Sequence, residues 1–310
     1  MLLKKNIPIS YVFGKIKLEM TLLAIYSTAV YVAHTYFNFP GVSIPIAIPS
    51  ILGTIISLLL AFRSNQAYDR WWEARTLWGA IVNDSRTFAR QVFAFVDNSY
   101  NDADKRMMKE RIIKRQMAWC QSLSKHLRGH NARPALDKYI SEEERRAIAH
   151  IDHVPLALLE QHGSDLRLLL RLNWINEYQQ VAMDETLTRF SNSMGGCERI
   201  KNTVFPVTYS FYIHILVLLF VMMLPFGLIE LFGVFQIPLV VAISSSFFLI
   251  EKMAIHLQDP FENKPTDTPT TTISNKIEHD LQQLLNEDVP QARDKENTTV
   301  GTKGTMYYVL

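Results

Sequence analysis

Cysteine is nearly absent from this chain: two in 310 residues, Cys120 and Cys197. That excludes a scaffold stapled by disulfides, and both positions fall in stretches assigned below to the cytosol, where free thiols are expected. Net charge is also nearly absent, with 32 basic side chains against 30 acidic ones leaving +2, so the basic excess of a nucleic-acid binder is missing. No cleavable signal peptide is expected, because the first apolar run comes late and is too long for an h-region. No motif brings an acid, a base and a nucleophile together, so an enzyme is not expected. The histidines offer two short spacings, His126 with His130 at i, i+4 and His150 with His153 at i, i+3. Neither pair has a nearby cysteine or a third ligand placed by spacing, so solvated helix faces are expected, with no metal and no cofactor.

What is present is a strong segregation of charge. Four stretches are apolar and long enough to cross a bilayer as helices: Leu18–Phe37, Ile44–Phe62, Val204–Ile229 and Leu231–Ile250. The loops 38–43 and 229–236 hold no Lys or Arg, whereas the N-terminus, 63–203 and the residues after Ile250 hold every Lys and Arg. The positive-inside rule then places both termini and the middle segment in the cytoplasm of a multi-pass protein of the inner membrane. The division expected is 1–62 for an N-terminal segment with the first two spans, 63–203 for a cytoplasmic helical domain, 204–257 for the third and fourth spans, and 258–310 for a tail. The N-terminal segment includes a short interfacial helix over Tyr11–Ile16. The fold class is all-α, an integral membrane protein with four transmembrane helices and a large helical cytoplasmic part.

The apolar periods of the middle segment are helical throughout. Arg63–Val96 continues the second span, followed by a polar loop at Asp97–Asp104 and a helix over Lys105–Arg128. Ser141 and Glu144 fit a capping box that starts a helix toward Ile151. A short helix is expected over Pro155–His162 and a long one over Asp165–Met194, interrupted by Gly195-Gly196. Beyond the fourth span, Pro-, Thr- and Asp-rich loop chemistry precedes a docking helix at about 273–286, and disorder is expected from about Pro290 onward.

The second span carries two stripes at four-residue spacing. Gly53, Ser57 and Ala61 suit close helix approach. Ser50, Thr54, Leu58 and Phe62 form a face that either packs against neighbours or lines a narrow, greasy pore. His214 lies deep in the third span and reads as a neutral histidine bonded between helices, although ionisable groups at such depth often serve function.

The stretch FRSNQAYDRWWEARTLWG, Phe62–Gly79, resembles the signature of the bestrophin family in its prokaryotic branch. Two further stretches are similar to that family: GGCERI at Gly195–Ile200, followed by Pro206 and Tyr209, and DPF at Asp259–Phe261. Together they cover about residues 10 to 285. The resemblance implies a homopentameric ion channel whose second membrane helix lines a hydrophobic neck, here Ser50, Thr54, Leu58 and Phe62. The family often carries a larger residue at the position of Thr54, so a wider or wetter outer ring is implied. The lower constriction falls at Tyr178, or at Ile175 if the alignment holds a gap. The carried-over motif residues are Arg63, Tyr68, Arg70, Trp71, Trp72, Glu73, Arg75, Trp78, Gly195, Gly196, Glu198, Arg199, Asp259, Pro260 and Phe261. Arg70, Glu73 and Arg75 are candidates for intersubunit ion pairs, and Trp71 and Trp72 for packing between helices or subunits. The family label is a chloride channel, with a monovalent-cation channel of the prokaryotic branch or a membrane transporter as alternatives. The implied partners are further copies of the chain, the bilayer and small inorganic ions. In eukaryotic relatives an acidic cluster after DPF belongs to a calcium site. Here only Asp259 and Glu262 stand close by, so calcium gating is not expected.

Overall fold

The computed structural model describes residues 14, 16–37, 43–96, 103–203, 205–264 and 266–286. The expected interfacial helix over Tyr11–Ile16, most of the loops at 38–43 and 97–104, and the tail from Pro290 lie outside these residues. The described chain is all helical, without a strand. Its helices are α1 Lys17–Phe37, α2 Ala47–Phe95, α3 Ala103–Leu127, α4 Glu142–Ala147, α5 Val154–Arg171, α6 Glu177–Asn202, α7 Val207–Phe232, α8 Gln236–Leu257 and α9 Thr270–Leu284.

Two compact units divide the chain, one built from Lys4–Arg70 with Val204–Asp259, the other from Trp71–Thr203 with the residues from Pro260 onward. The first holds α1, the front of α2, α7 and α8, with α8 packed on both α1 and α7. Its core includes Leu23, Ile56, Leu60, Val217, Phe220, Leu224, Val240 and Phe248. Two stretches here are long and apolar enough to cross a membrane, one within Ala47–Phe95 and one spanning Val207–Leu257. The second unit holds the rest of α2 and α3 to α6, with α9 docked on α3. Trp119 and Phe190 pack with ring centroids 4.9 Å apart, and Phe88 meets Phe190 edge-on at 6.1 Å. Ile277 and Leu281 bury the apolar face of α9, and the Ser141–Glu144 capping box starts α4 as its sequence requires.

Several boundaries differ from the sequence expectation. The helix expected over Pro155–His162 runs on to Arg171, and the long helix expected over Asp165–Met194 is cut at 172–176. Asparagine chemistry makes the cut: Asn173 takes the left-handed region at φ 55°, and Asn176 caps α6 in a box with Gln179. Gly195-Gly196 does not interrupt α6, which continues to Asn202. A Cβ on Gly196 would meet Leu77 Cδ1 at 2.8 Å, so this glycine serves close helix approach rather than a break. The fourth span starts later than expected, after a 3-10 turn at Gly233–Phe235 where Gly233 has φ 51°. It also runs past Glu251 and Lys252. Both charges are tolerated inside the helix because Glu251 faces Arg63 and Lys252 binds Glu19.

Candidate functional site

The buried positions of α2 follow one line: Pro49, Gly53, Ile56, Leu60, Arg63 and Ala67, then Ala74, Trp78, Ile81, Ser85, Phe88 and Val92. Steps alternate between four and three residues, the spacing that holds one face of a helix against its neighbours. The opposite arc is exposed and, as far as Phe62, free of charge: Ser50, Thr54, Leu58 and Phe62, together with Ile51, Ile55, Ser57 and Ala61. Of the expected packing stripe Gly53, Ser57 and Ala61, Gly53 alone meets its neighbour within the chain. Gly53 is buried against Phe220, whereas Ser57 and Ala61 are exposed. A four-residue step advances about 40° around a helix, so a stripe of such steps turns away from the contact that Gly53 makes. The hydroxyls on this arc are tied back to their own helix. Ser50 donates to the Ile46 carbonyl at 2.8 Å, Thr54 to Ser50 at 2.9 Å and Ser57 to Gly53 at 2.8 Å. Their protons are spent internally, and each oxygen is left as an acceptor on an otherwise apolar face.

Where the charge-free stretch ends, three ionisable side chains meet in the first unit. Arg63 is 2% exposed and its Nη1 stands 3.7 Å from Oε1 of Glu251, itself buried. His214 Nδ1 lies 3.2 Å from both Glu251 oxygens, so the expected histidine bonded between helices is found, spanning α7 and α8. Two guanidinium nitrogens of Arg63, Nε and Nη1, make no hydrogen bond. Further along α2, Arg70 Nε donates to the Gln258 carbonyl at 2.8 Å and its Nη2 is 4.0 Å from Asp259.

Apart from Tyr68, the remaining motif residues belong to the second unit. Trp71 Nε1 donates to the Thr266 carbonyl at 3.0 Å, Glu73 pairs with Arg199, and Trp78, Pro260 and Phe261 are buried. Tyr68, Trp72, Arg75 and Gly195 are exposed. Arg70 and Glu73, expected as intersubunit partners, thus find their acidic and basic counterparts inside one chain, and the three motifs bind one another. Of the two constriction candidates, Tyr178 is 88% exposed while Ile175 is 4% exposed and part of the core. Ile175 precedes the Asn176 cap, and its side chain joins the hydrophobic core of the second unit.

The acidic residues after DPF are each committed elsewhere. Glu262 binds Lys201, which holds its carboxyl below the usual range. Asp267 is buried and accepts the Lys264 backbone N–H at 3.0 Å, and burial pushes its carboxyl up. Both cysteines are free and buried, as expected, with burial raising each thiol to about 12.

The family model described as Bacterial/Fungal Bestrophin protein matches residues 6–283. The chain belongs to the bestrophin family. A voltage-dependent anion channel-forming protein of Nostoc sp. is 32% identical over 247 residues, covering 78% of this chain and 79% of that one. The voltage-dependent anion channel-forming protein YneE of Salmonella typhi is 30% identical over 283 residues, 91% of each chain. The crystal structure of a bacterial bestrophin homologue from Klebsiella pneumoniae superposes with a TM-score of 0.81 at 26% identity, covering 88% of this chain and all of that one. Bestrophins are membrane channels, so this one is an ion channel and not an enzyme.

Two features of the bestrophin differ from what local sequence signals imply. Glu251 lies inside α8 rather than at its end, and Arg63 and His214 at similar depth signal that an acid has to face them. The histidine spacings also misled. Neither His126 with His130 nor His150 with His153 is the close pair. One member of each, His126 and His153, converges on Glu198.

Proposed function

We propose that this bestrophin assembles as a homopentamer and conducts small monovalent anions, chloride among them, through a neck lined by Ser50, Thr54, Leu58 and Phe62. The observation that carries the reading is the bare apolar arc of α2. In its most apolar 18-residue window 22% of the residues are buried, against 44% for the window in Val207–Leu257. A face so little covered by its own chain is available to a lumen or to neighbouring copies, and a greasy lumen gates by wetting rather than by charge. The names of the Nostoc and Salmonella relatives support the anion assignment. Four spans with both termini and the larger helical unit in the cytoplasm complete the reading, with Tyr178 at the cytoplasmic constriction.

Reconstituted protein tested for reversal potential under a chloride gradient decides selectivity: a shift toward the potassium or sodium potential overturns the anion assignment. Leu58→Ala should raise conductance by widening the dewetted constriction. Leu59→Ala, about 100° around the helix and partly buried against the core, should leave conductance near its original value. Equal effects at the two positions would place the pore on another face.

A further inference from the structure

Three metal-ligating side chains from three helices meet in the second unit. His126 comes from the last turn of α3, His153 is the N-cap of α5, and Glu198 lies on α6. Glu198 Oε1 is 2.8 Å from His153 Nε2 and 3.6 Å from His126 Nε2. The imidazole centroids are 4.6 Å apart, and all three ligand atoms fall within 4.8 Å of one another. Ligands placed about 2.0–2.1 Å from a tetrahedral zinc ion stand about 3.3–3.4 Å from each other, between the two distances to Glu198. All three side chains are partly buried, held by helices yet reachable from solvent.

We propose that His126, His153 and Glu198 form a three-ligand site for a divalent transition metal of the zinc class, with water in the fourth position. Two imidazoles and one carboxylate favour such an ion over magnesium or calcium, which take oxygen ligands. A hydrogen-bonded trio alone accounts for the His153–Glu198 contact. It leaves unexplained why His126, too far away to bond, turns its Nε2 to the same oxygen and sets its ring so close to that of another histidine.

Binding carries a structural consequence. His153 Nδ1 accepts the Leu156 backbone N–H at 3.1 Å, so the neutral ring carries its proton on Nε2 and donates it to Glu198. A metal at Nε2 takes that place, and the ring proton relocates to Nδ1. The Leu156 N–H then loses its acceptor, so metal binding and capping of α5 compete for one ring.

The test is zinc titration of the full-length protein in detergent against a chromophoric chelator. One zinc per chain is expected. His126→Gln and Glu198→Gln should each weaken binding by about tenfold or more, and His130→Gln, on an exposed neighbour, should not. Zinc should also accelerate amide hydrogen exchange at Leu156. Substoichiometric zinc in the unsubstituted protein overturns the site, as does unchanged affinity in His126→Gln. If His126→Gln does not fold, cobalt(II) added to the unsubstituted protein decides: the strong visible band of four-coordinate cobalt supports the site, and the weak octahedral spectrum overturns it.

Discussion

Replacing Glu251 by Ala isolates the buried charge cluster at the end of the charge-free part of α2. Arg63 is 2% and Glu251 5% exposed, at 3.7 Å. Two unit charges at that distance attract by about 4–5 kcal/mol at an effective dielectric of about 20. Burying both costs several kcal/mol for each ion, so the intact pair contributes little net stability. Removing one member is different, because it leaves Arg63 charged, buried and already short of hydrogen bonds at Nε and Nη1. Glu251→Ala should therefore cost about 3–5 kcal/mol, which at about 2–4 °C per kcal/mol is a fall of about 6–20 °C in melting temperature. The double variant Arg63→Met/Glu251→Leu should recover most of that loss. His214→Gln, which removes one partner of a half-exposed contact, should cost about 0.5–1.5 kcal/mol. The assay is tryptophan-fluorescence melting of each variant in one detergent at one scan rate. The reasoning is refuted if Glu251→Ala melts with the unsubstituted protein, or if the double variant melts below the single.

A Cβ on Gly227 would stand 2.8 Å from Cγ of the rigid Pro49 ring, so Gly227→Ala should destabilise by about 1–3 kcal/mol. Gly195→Ala, with open space around the new methyl, should stabilise by about 0.5–1 kcal/mol; paired melts check both. The two buried thiols, raised to about 12, should stay protonated and unmodified by a thiol reagent at pH 8 in the folded protein, and mass spectrometry before and after denaturation reads this directly. Stepping cytoplasmic calcium from chelator-buffered to micromolar should leave open probability unchanged, because Glu262 is bound to Lys201 and Asp267 to the Lys264 backbone. A rise that Asp259→Ala abolishes would contradict that.

Hydrophobic period and charge segregation made the helices legible, and short motifs made the family legible. The errors have a common origin in weighing one local signal without its partner. Leu170, Leu172, Trp174 and Ile175 carry an apolar pattern on from α5 toward α6, while Asn173 and Asn176 supply a left-handed residue and a cap that end one helix and begin the next. Gly195-Gly196 looks like a break until Leu77 is seen to need the room. Glu251 looks like the end of a span until Arg63 and His214 neutralise the cost of burying it. The convergence of His126, His153 and Glu198 has no local signal, because the three residues come from helices far apart in sequence and only packing brings them together.

The surface of α2 supplies the physical argument for a helix that passes from one medium to another. Its buried line keeps the same alternation of four and three residues on both sides of Arg70, so neighbouring helices hold one side of the rod along its length. The exposed side does not stay constant. Before Arg63 it is Ile51, Thr54, Ile55, Leu58 and Phe62; after it come Asn65, Gln66, Asp69, Arg75, Asn83, Arg86 and Arg90. Burial within the chain cannot account for this change, because both sets of side chains are exposed. What differs is the surroundings they must face: a medium that tolerates bare Leu and Phe and hydroxyls bonded back to their own helix, followed by one that solvates carboxylates and guanidinium groups. Arg63 stands at the transition and is turned to the buried side, where Glu251 receives its charge.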